Sequence, residues 1–329
     1  MMDQLVERFT EQLREAVEIG QSAKISAHTE DISAIYVTGM GGSSIGGSFA
    51  AEFVKDELKV PYAFGQSYQI PAWVNKHTLA IASSYSGNTE ETLSSFNELL
   101  TTGAKVVVIA SGGKLIELAK THQLDYILLP SDWPSPRACL GYSVVQQLFV
   151  LRHLGLIGET RINEINASIK LLDQEAENIK EKASKICDLI VDKIPVIYTT
   201  DRMSSVAVRY RQQINENAKM LCWHHILPEM NHNELVGWRD EYNNIAVLFL
   251  RNADDFSRND KRIDITKEII GNCTNTIIDI YSKGNSLVER ALYLVHLGDW
   301  LSVYMAERRE MDSIEVKVID YLKSELGKV

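Results

Sequence analysis

Long apolar runs are what the chain most clearly lacks: none reaches the roughly 18 residues that a bilayer-spanning helix needs. The opening segment, MMDQLVERFTEQLREAV, is amphipathic and charged and has no apolar signal core. A cytoplasmic protein with no membrane partner is therefore expected. Basic residues are in deficit too, with 34 Lys and Arg against 44 Asp and Glu and a formal net charge of −10. That balance argues against a nucleic-acid partner, because such binding rests on neutralising phosphates with a basic surface. A small anion remains admissible where a site is rich in backbone N–H groups. Cysteines are few, and Cys139, Cys187, Cys222 and Cys273 show no C-x-x-C spacing. They are read as free, buried thiols, and no metal or redox cofactor is expected.

What is present is an ordinary globular composition, 45% hydrophobic and 24% charged. A chain of 329 residues suits two domains of about 100–200 residues each. Apolar runs of strand length fall at Ala34–Thr38, Pro61–Phe64, Thr78–Ala82, Lys105–Ala110 and Tyr126–Leu129. Helical patterns separate them near Ile45–Phe53, Thr89–Thr101 and Leu115–Thr121. The pattern turns helical over Gly141–Leu154 and Ile162–Val191. It then resumes with strands at Val196–Thr200, Ile245–Leu250 and Thr276–Tyr281, between helices at Ser204–Met220, Asp254–Ile269, Leu287–Arg308 and Ile314–Leu326. Strands with few polar residues, alternating with helices, predict an α/β fold with parallel sheets covered on both faces. A weak repeat supports two related halves. Ile35-Tyr-Val-Thr38 leads into Gly39-Met-Gly-Gly-Ser-Ser44, and Ile197-Tyr-Thr-Thr200 leads into Asp201-Arg-Met-Ser-Ser205, without the glycines. The predicted domains are 1–155 and 156–329.

Two turns stand out. Gly39-Met-Gly-Gly-Ser-Ser-Ile-Gly-Gly47 follows a strand and opens a helix, where glycines allow close backbone approach and the helix end offers free amides. A dinucleotide fingerprint is not met. Ser44 stands where G-x-G-x-x-G needs its third glycine, and the strand at Pro61–Phe64 ends at Gly65-Gln66 without an acidic residue for a ribose. The second turn is Ser83-Ser-Tyr-Ser-Gly-Asn-Thr89. Its hydroxyls gather at a predicted helix start, with Asn88 and Glu91 spaced as a capping box. Hydroxyls and free amides at a helix N-terminus suit a phosphate dianion and require no lysine. A solvated, ordinarily capped turn is the other reading of the same residues.

Taken together, Gly39-Met-Gly-Gly-Ser43 and Ser84-Tyr-Ser-Gly-Asn-Thr89-Glu-Glu-Thr92 resemble a sugar isomerase domain. Three more segments extend the likeness to the bifunctional phosphoglucose/phosphomannose isomerases. They are Pro134-Ser-Pro-Arg137, Arg211-Gln-Gln-Ile-Asn-Glu216-Asn-Ala-Lys219 and Leu227-Pro-Glu-Met-Asn-His232-Asn-Glu-Leu-Val-Gly-Trp238. The resemblance implies two sugar isomerase domains and isomerisation of a hexose 6-phosphate through a cis-enediolate. Substrate contacts would fall to Gly42, Ser43, Ser84, Ser86 and Thr89, with the phosphate at Ser84, Ser86 and Thr89 and Ser43 nearby. Glu216 matches the family's catalytic base, although periodicity alone makes Arg209, Gln212, Glu216 and Lys219 a solvated helix face, with Tyr210, Ile214, Ala218 and Leu221 inward. His232 would open the sugar ring, imidazole titrating near neutrality, and would reach the site from the neighbouring subunit of a homodimer. Arg137 would stabilise charge on the enediolate.

Near the C-terminus, Lys323 answers to a family active-site lysine. Ser313 or Ile314 stands where the family leads one to expect threonine, in a region that bears on which C2 epimer is accepted. Metal binding by His224, His225 and His232 is disfavoured, since adjacent histidines point apart and no H-x-x-x-H pair is present. Two rival functions fit the same residues: a non-catalytic sugar-phosphate-binding regulator, and an isomerase for another sugar phosphate.

Overall fold

The computed structural model describes residues 1–328. In chain order its elements begin with α1 (Met2–Glu7), α2 (Phe9–Ser22), β1 (Ala34–Thr38), α3 (Gly41–Val54), β2 (Tyr62–Gly65) and β3 (Thr78–Ser83). Next come α4 (Glu90–Leu99), β4 (Lys105–Ala110), α5 (Gly113–Thr121), β5 (Asp125–Leu128), α6 (Leu140–His153) and α7 (Thr160–Ile190). The remainder is β6 (Ile194–Thr200), α8 (Ser204–Ala218), β7 (Trp223–Leu227), β8 (Ile245–Arg251), α9 (Ser257–Ile270), β9 (Ile277–Tyr281), α10 (Leu287–Arg308) and α11 (Lys317–Leu326). The chain forms two compact units. One is Arg8–Asp173, and the other joins Met1–Glu7 to the chain from Gln174 onward. The division falls inside α7, whereas the sequence reading puts it at 155/156, just ahead of that helix.

In the first unit five parallel strands run in the order β2-β1-β3-β4-β5. Successive side chains of a strand face opposite ways, and here both sets are buried. Tyr36, Ala80, Ala82, Val106, Val108 and Ala110 pack with Phe96 and Leu99 of α4 and Leu115, Ile116 and Ala119 of α5. Ile35, Val37, Leu79, Ile81, Val107 and Ile109 are fully buried on the other face. Burial on both sides is why these strands read as continuous apolar runs.

The second unit has four parallel strands in the order β7-β6-β8-β9. This repeats the placement β2-β1-β3-β4, with the sequence repeat falling on β1 and β6. The edge strand β7 is absent from the sequence reading. Its residues Trp223-His-His-Ile-Leu227 include two histidines and lack the apolar run that marks the others.

Helix α8 packs on α10. The Tyr210 ring lies so close to Gly298 that a Cβ there would come within 2.3 Å of it. Beside it Arg209 donates Nε and Nη2 to the two oxygens of Asp299, at 3.0 and 2.8 Å. Asn217 Nδ2 donates to Ser302 Oγ at 2.9 Å. Arg209, Gln213 and Asn217, spaced four apart, are thus a buried stripe, and Arg209 leaves the solvated face assigned to it because Asp299 neutralises it inside. Removing one partner of such a buried pair costs about 3–5 kcal/mol. Tyr210, Ile214 and Ala218 do face inward. Leu221 does not, since α8 stops at Ala218 and leaves it exposed. All four cysteines are free and buried. Among the described residues, no helix is long and apolar enough to cross a membrane.

Buried in α10 is His296, whose Nε2 accepts from Trp300 Nε1 at 3.3 Å. Burial disfavours the imidazolium and, with Lys180 nearby, lowers its pKa to about 3. Unfolded, the same ring takes its proton near pH 6.5. The folded pKa is the lower one, so the stabilisation is complete above 6.5 and is lost as the pH falls toward 3. From this residue we expect an unfolding free energy that declines by about 1.4 kcal/mol per pH unit below 6.5. Urea unfolding of the wild type and His296→Gln at several pH values checks it: the variant should lose visibly less stability on acidification.

Candidate active site

Because β1 and β3 are parallel neighbours, with Thr38 opposite Ala82, the chain leaves both strands at the same sheet edge. The two turns that follow are pressed together there. A Cβ on Gly39 would stand 2.7 Å from the Ser83 carbonyl oxygen, so only glycine allows this approach. α3 starts two residues later, and its N-cap residue Met40 makes no side-chain cap. Gly42 lies against the turn that carries Arg137, a Cβ there falling 3.5 Å from the Pro136 carbonyl and 4.0 Å from the Arg137 Cα. That turn, Pro136–Ala138, is anchored by Gln12 Nε2 donating to the Ala138 carbonyl at 2.8 Å. Ser43 and Arg137 are each 9% exposed.

In the second turn Ser84 Oγ and Thr89 Oγ1 are 2.9 Å apart. Ser84 Oγ accepts from the Gly87 amide at 3.2 Å, and Ser86 Oγ from the Asn88 amide at 3.3 Å. The expected Asn88–Glu91 capping box does not form. Asn88 Oδ1 accepts from the Lys114 amide at 3.0 Å instead, and Thr89 takes the N-cap position without capping. Its hydroxyl being turned to Ser84, the first amides of α4 have no side-chain acceptor. Helix amides in that state, with the positive end of the dipole behind them, are an anion site. The structure thus brings Gly42, Ser43 and Arg137 into one group, and Ser84, Ser86 and Thr89 into another. Gly39 meets Ser83 where the two groups adjoin.

The corresponding edge of the second unit carries an internal arginine. After β8, Asn252 Oδ1 accepts from Arg290 Nε at 2.7 Å, and Arg290 pairs with Asp254 and donates to the Gly284 carbonyl. A buried guanidinium paired with Asn252 and Asp254 thus stands beside the loop after β8.

Glu216 of the second unit is half-buried in the last turn of α8. With Asn215, Lys219, Glu315, Val316, Val318 and Ile319 it lines a cavity of about 280 Å³. The C-terminal segment therefore does come to Glu216, but through residues 315–319. Lys323 is exposed on α11 and is not part of the lining, while Ser313 and Ile314 are half-buried just before it. His232 is exposed in the 3-10 turn Glu229–His232 and does not line the cavity either.

The segment that carries His232 is fastened by a residue the sequence reading missed. Glu234 accepts from Tyr198 Oη at 2.5 Å, Trp223 Nε1 at 3.0 Å and His225 Nδ1 at 2.7 Å. Only the pairing of β6 with β7 assembles these donors, so no local pattern could have shown it. His224 is held neutral, its pKa lowered to about 4 by burial and by Arg211.

At Gly87 φ is 68°, and a Cβ would lie 1.9 Å from the Gly112 carbonyl oxygen. Gly87→Ala should therefore lower stability by at least about 1 kcal/mol from the backbone alone and weaken binding of inorganic phosphate as the turn shifts. Thermal unfolding and calorimetry of phosphate binding measure the two effects.

Comparison with known proteins bears on the family and the fold. A profile of the bacterial phospho-glucose isomerase C-terminal SIS domain matches residues 179–326. The bifunctional phosphoglucose/phosphomannose isomerase of Caldicellulosiruptor bescii is 38% identical over 100% of this chain and 99% of its own. That of Aquifex aeolicus is 38% identical over 89% of this chain and 90% of its own. In fold, the C-terminal domain of glucosamine-fructose-6-phosphate aminotransferase from Francisella tularensis superposes with a TM-score of 0.73 at 14% identity, covering 95% of this chain and 98% of that one. On full-length similarity of this order, the chain belongs to the bifunctional phosphoglucose/phosphomannose isomerase family.

Proposed function

We propose that the chain is a cytoplasmic aldose–ketose isomerase that interconverts glucose 6-phosphate, and mannose 6-phosphate with it, with fructose 6-phosphate. The observation that carries the proposal is one chain's possession of two complementary devices. One is the uncapped hydroxyl turn Ser84–Thr89, and the other is a half-buried carboxylate, Glu216, lining a cavity. The first suits the phosphate and the second the proton transfer.

In this reading Ser84, Ser86 and Thr89 hold the phosphate, with Ser43 nearby and Gly42 lining the substrate site. His232 opens the ring, giving a proton to the ring oxygen as O1 loses one. Glu216 then takes the proton on C2, and the electron pair of that bond forms the C1–C2 double bond of a cis-enediolate. Arg137 offsets the negative charge that develops on oxygen. The O2 proton then passes to O1, and return of the first proton to C1, as the C1–C2 double-bond pair forms the new C–H bond and O2 becomes a carbonyl, completes the ketose. The proton and electron pair both stay with the substrate, so the reaction balances without an oxidant. The exposure of His232 and its absence from the Glu216 cavity support its delivery to a second chain in a homodimer.

A coupled assay on fructose 6-phosphate tests the proposal. Glu216→Gln should lower kcat by about 10²–10⁴-fold with little change in KM, the usual worth of a positioned base. Ser84→Ala should instead raise KM, by about 10-fold for one lost hydrogen bond to a charged group. Near wild-type turnover in Glu216→Gln would remove the base. Binding of sugar phosphates without turnover by the wild type would leave a regulator, and turnover confined to another sugar phosphate would reassign the substrate.

A further inference from the structure

Helix α8 ends in an unusual way. Its closing residue, Lys219, has φ 55° and ψ 38°, in the left-handed region. Helices usually place glycine there, because a Cβ crowds the neighbouring carbonyl. A lysine keeps that strained backbone while its side chain makes contacts glycine lacks. Lys219 Nζ donates to the main-chain carbonyl of Glu216 at 2.5 Å, and Lys219 lines the same cavity as Glu216. Of the residues around that cavity, Glu216 and Glu315 are acidic and Lys219 is basic.

The helix end is fixed further by Arg309 Nε, which donates to the Ala218 carbonyl at 3.2 Å, and by Asn215 Nδ2, which donates to the Met220 carbonyl at 2.6 Å. An anionic side chain in the last turn of a helix meets the negative end of the dipole, and cations there offset it.

We propose that Lys219 is a positioning residue for the Glu216 carboxylate. Its ammonium group ties down the last turn of α8 and sets a fixed positive charge beside two carboxylates that share a small cavity. The inference rests on Glu216 being the base, and it adds a reason for the strained lysine that the phosphate turn and the other site residues do not supply. A backbone in this conformation predicts that glycine fits at least as well as lysine for folding. The side chain is thus kept for what it does to Glu216, at the expense of local stability.

Three variants test this, read out as kcat, KM for fructose 6-phosphate and unfolding midpoint. Lys219→Met removes the charge and keeps the bulk. We expect kcat to fall about tenfold, with KM within twofold and a midpoint within about 2 °C of wild type. Lys219→Gly should lose as much turnover while holding or raising the midpoint. Lys219→Arg should recover at least a third of what Met loses. Wild-type turnover in the Met variant overturns the proposal, as does equal turnover in the Arg and Met variants, or a loss in the Gly variant that merely follows a lower midpoint. Failure of the underlying reading looks different: Glu216→Gln itself would then stay active. An inactive Glu216→Gln beside a fully active Lys219→Met sinks the Lys219 inference alone.

Discussion

Parallel pairing of β1 with β3 is the constraint from which the candidate anion site follows. In a parallel sheet all strands end at one edge, so the loops after adjacent strands start side by side. Thr38 opposite Ala82 sets Gly39 against the Ser83 carbonyl, and both loops run into helices whose first amides have no side-chain cap. Backbone amides and hydroxyls gather at this edge, with Arg137 beside Gly42. A candidate dianion site of this kind needs no lysine and is compatible with a formal net charge of −10.

The second unit shows what the same topology does when the loops differ. Its sheet repeats the strand order, but Asn252, Asp254 and the Gly284 carbonyl at its edge are occupied by Arg290. An internal cation there takes the role of a ligand and locks the loops. Chemical interest moves to the far end of α8, where Glu216 sits in the last turn. The register of that helix is specified by Arg209–Asp299, Tyr210 against Gly298, and Asn217–Ser302. Buried polar contacts of this kind add little net stability compared with apolar packing, but they penalise every slipped arrangement.

In the proposed reaction, holding the phosphate and moving the proton are chemically different tasks. A phosphate does not react during isomerisation, so energy from binding it can be used to orient the carbon chain, whereas the base must differ in its interaction with ground and transition states. Rigid turns suit the first task. The second calls for a carboxylate whose placement is set by a long helix and whose surroundings are tuned by a few charges.

What could be read from the chain alone was whatever is written locally. β1, β4 and α10 coincide with their predicted bounds because burial on both faces, or a long apolar pattern with a Ser286–Glu289 capping box, leaves a mark in consecutive residues. The glycine and hydroxyl turns were legible for the same reason, and with them the family. The edge strand β7, the Asn88–Lys114 bond in place of a cap, and the burial of Arg209 were decided by tertiary structure. So were the Glu234 hub and the pairing of Arg290 at the second edge. Each depends on a partner brought in from elsewhere in the chain, 90 residues away for Arg209 and Asp299. A charged side chain looks the same in sequence whether it faces water or a buried counter-charge, and only the packing of helices and strands selects between the two.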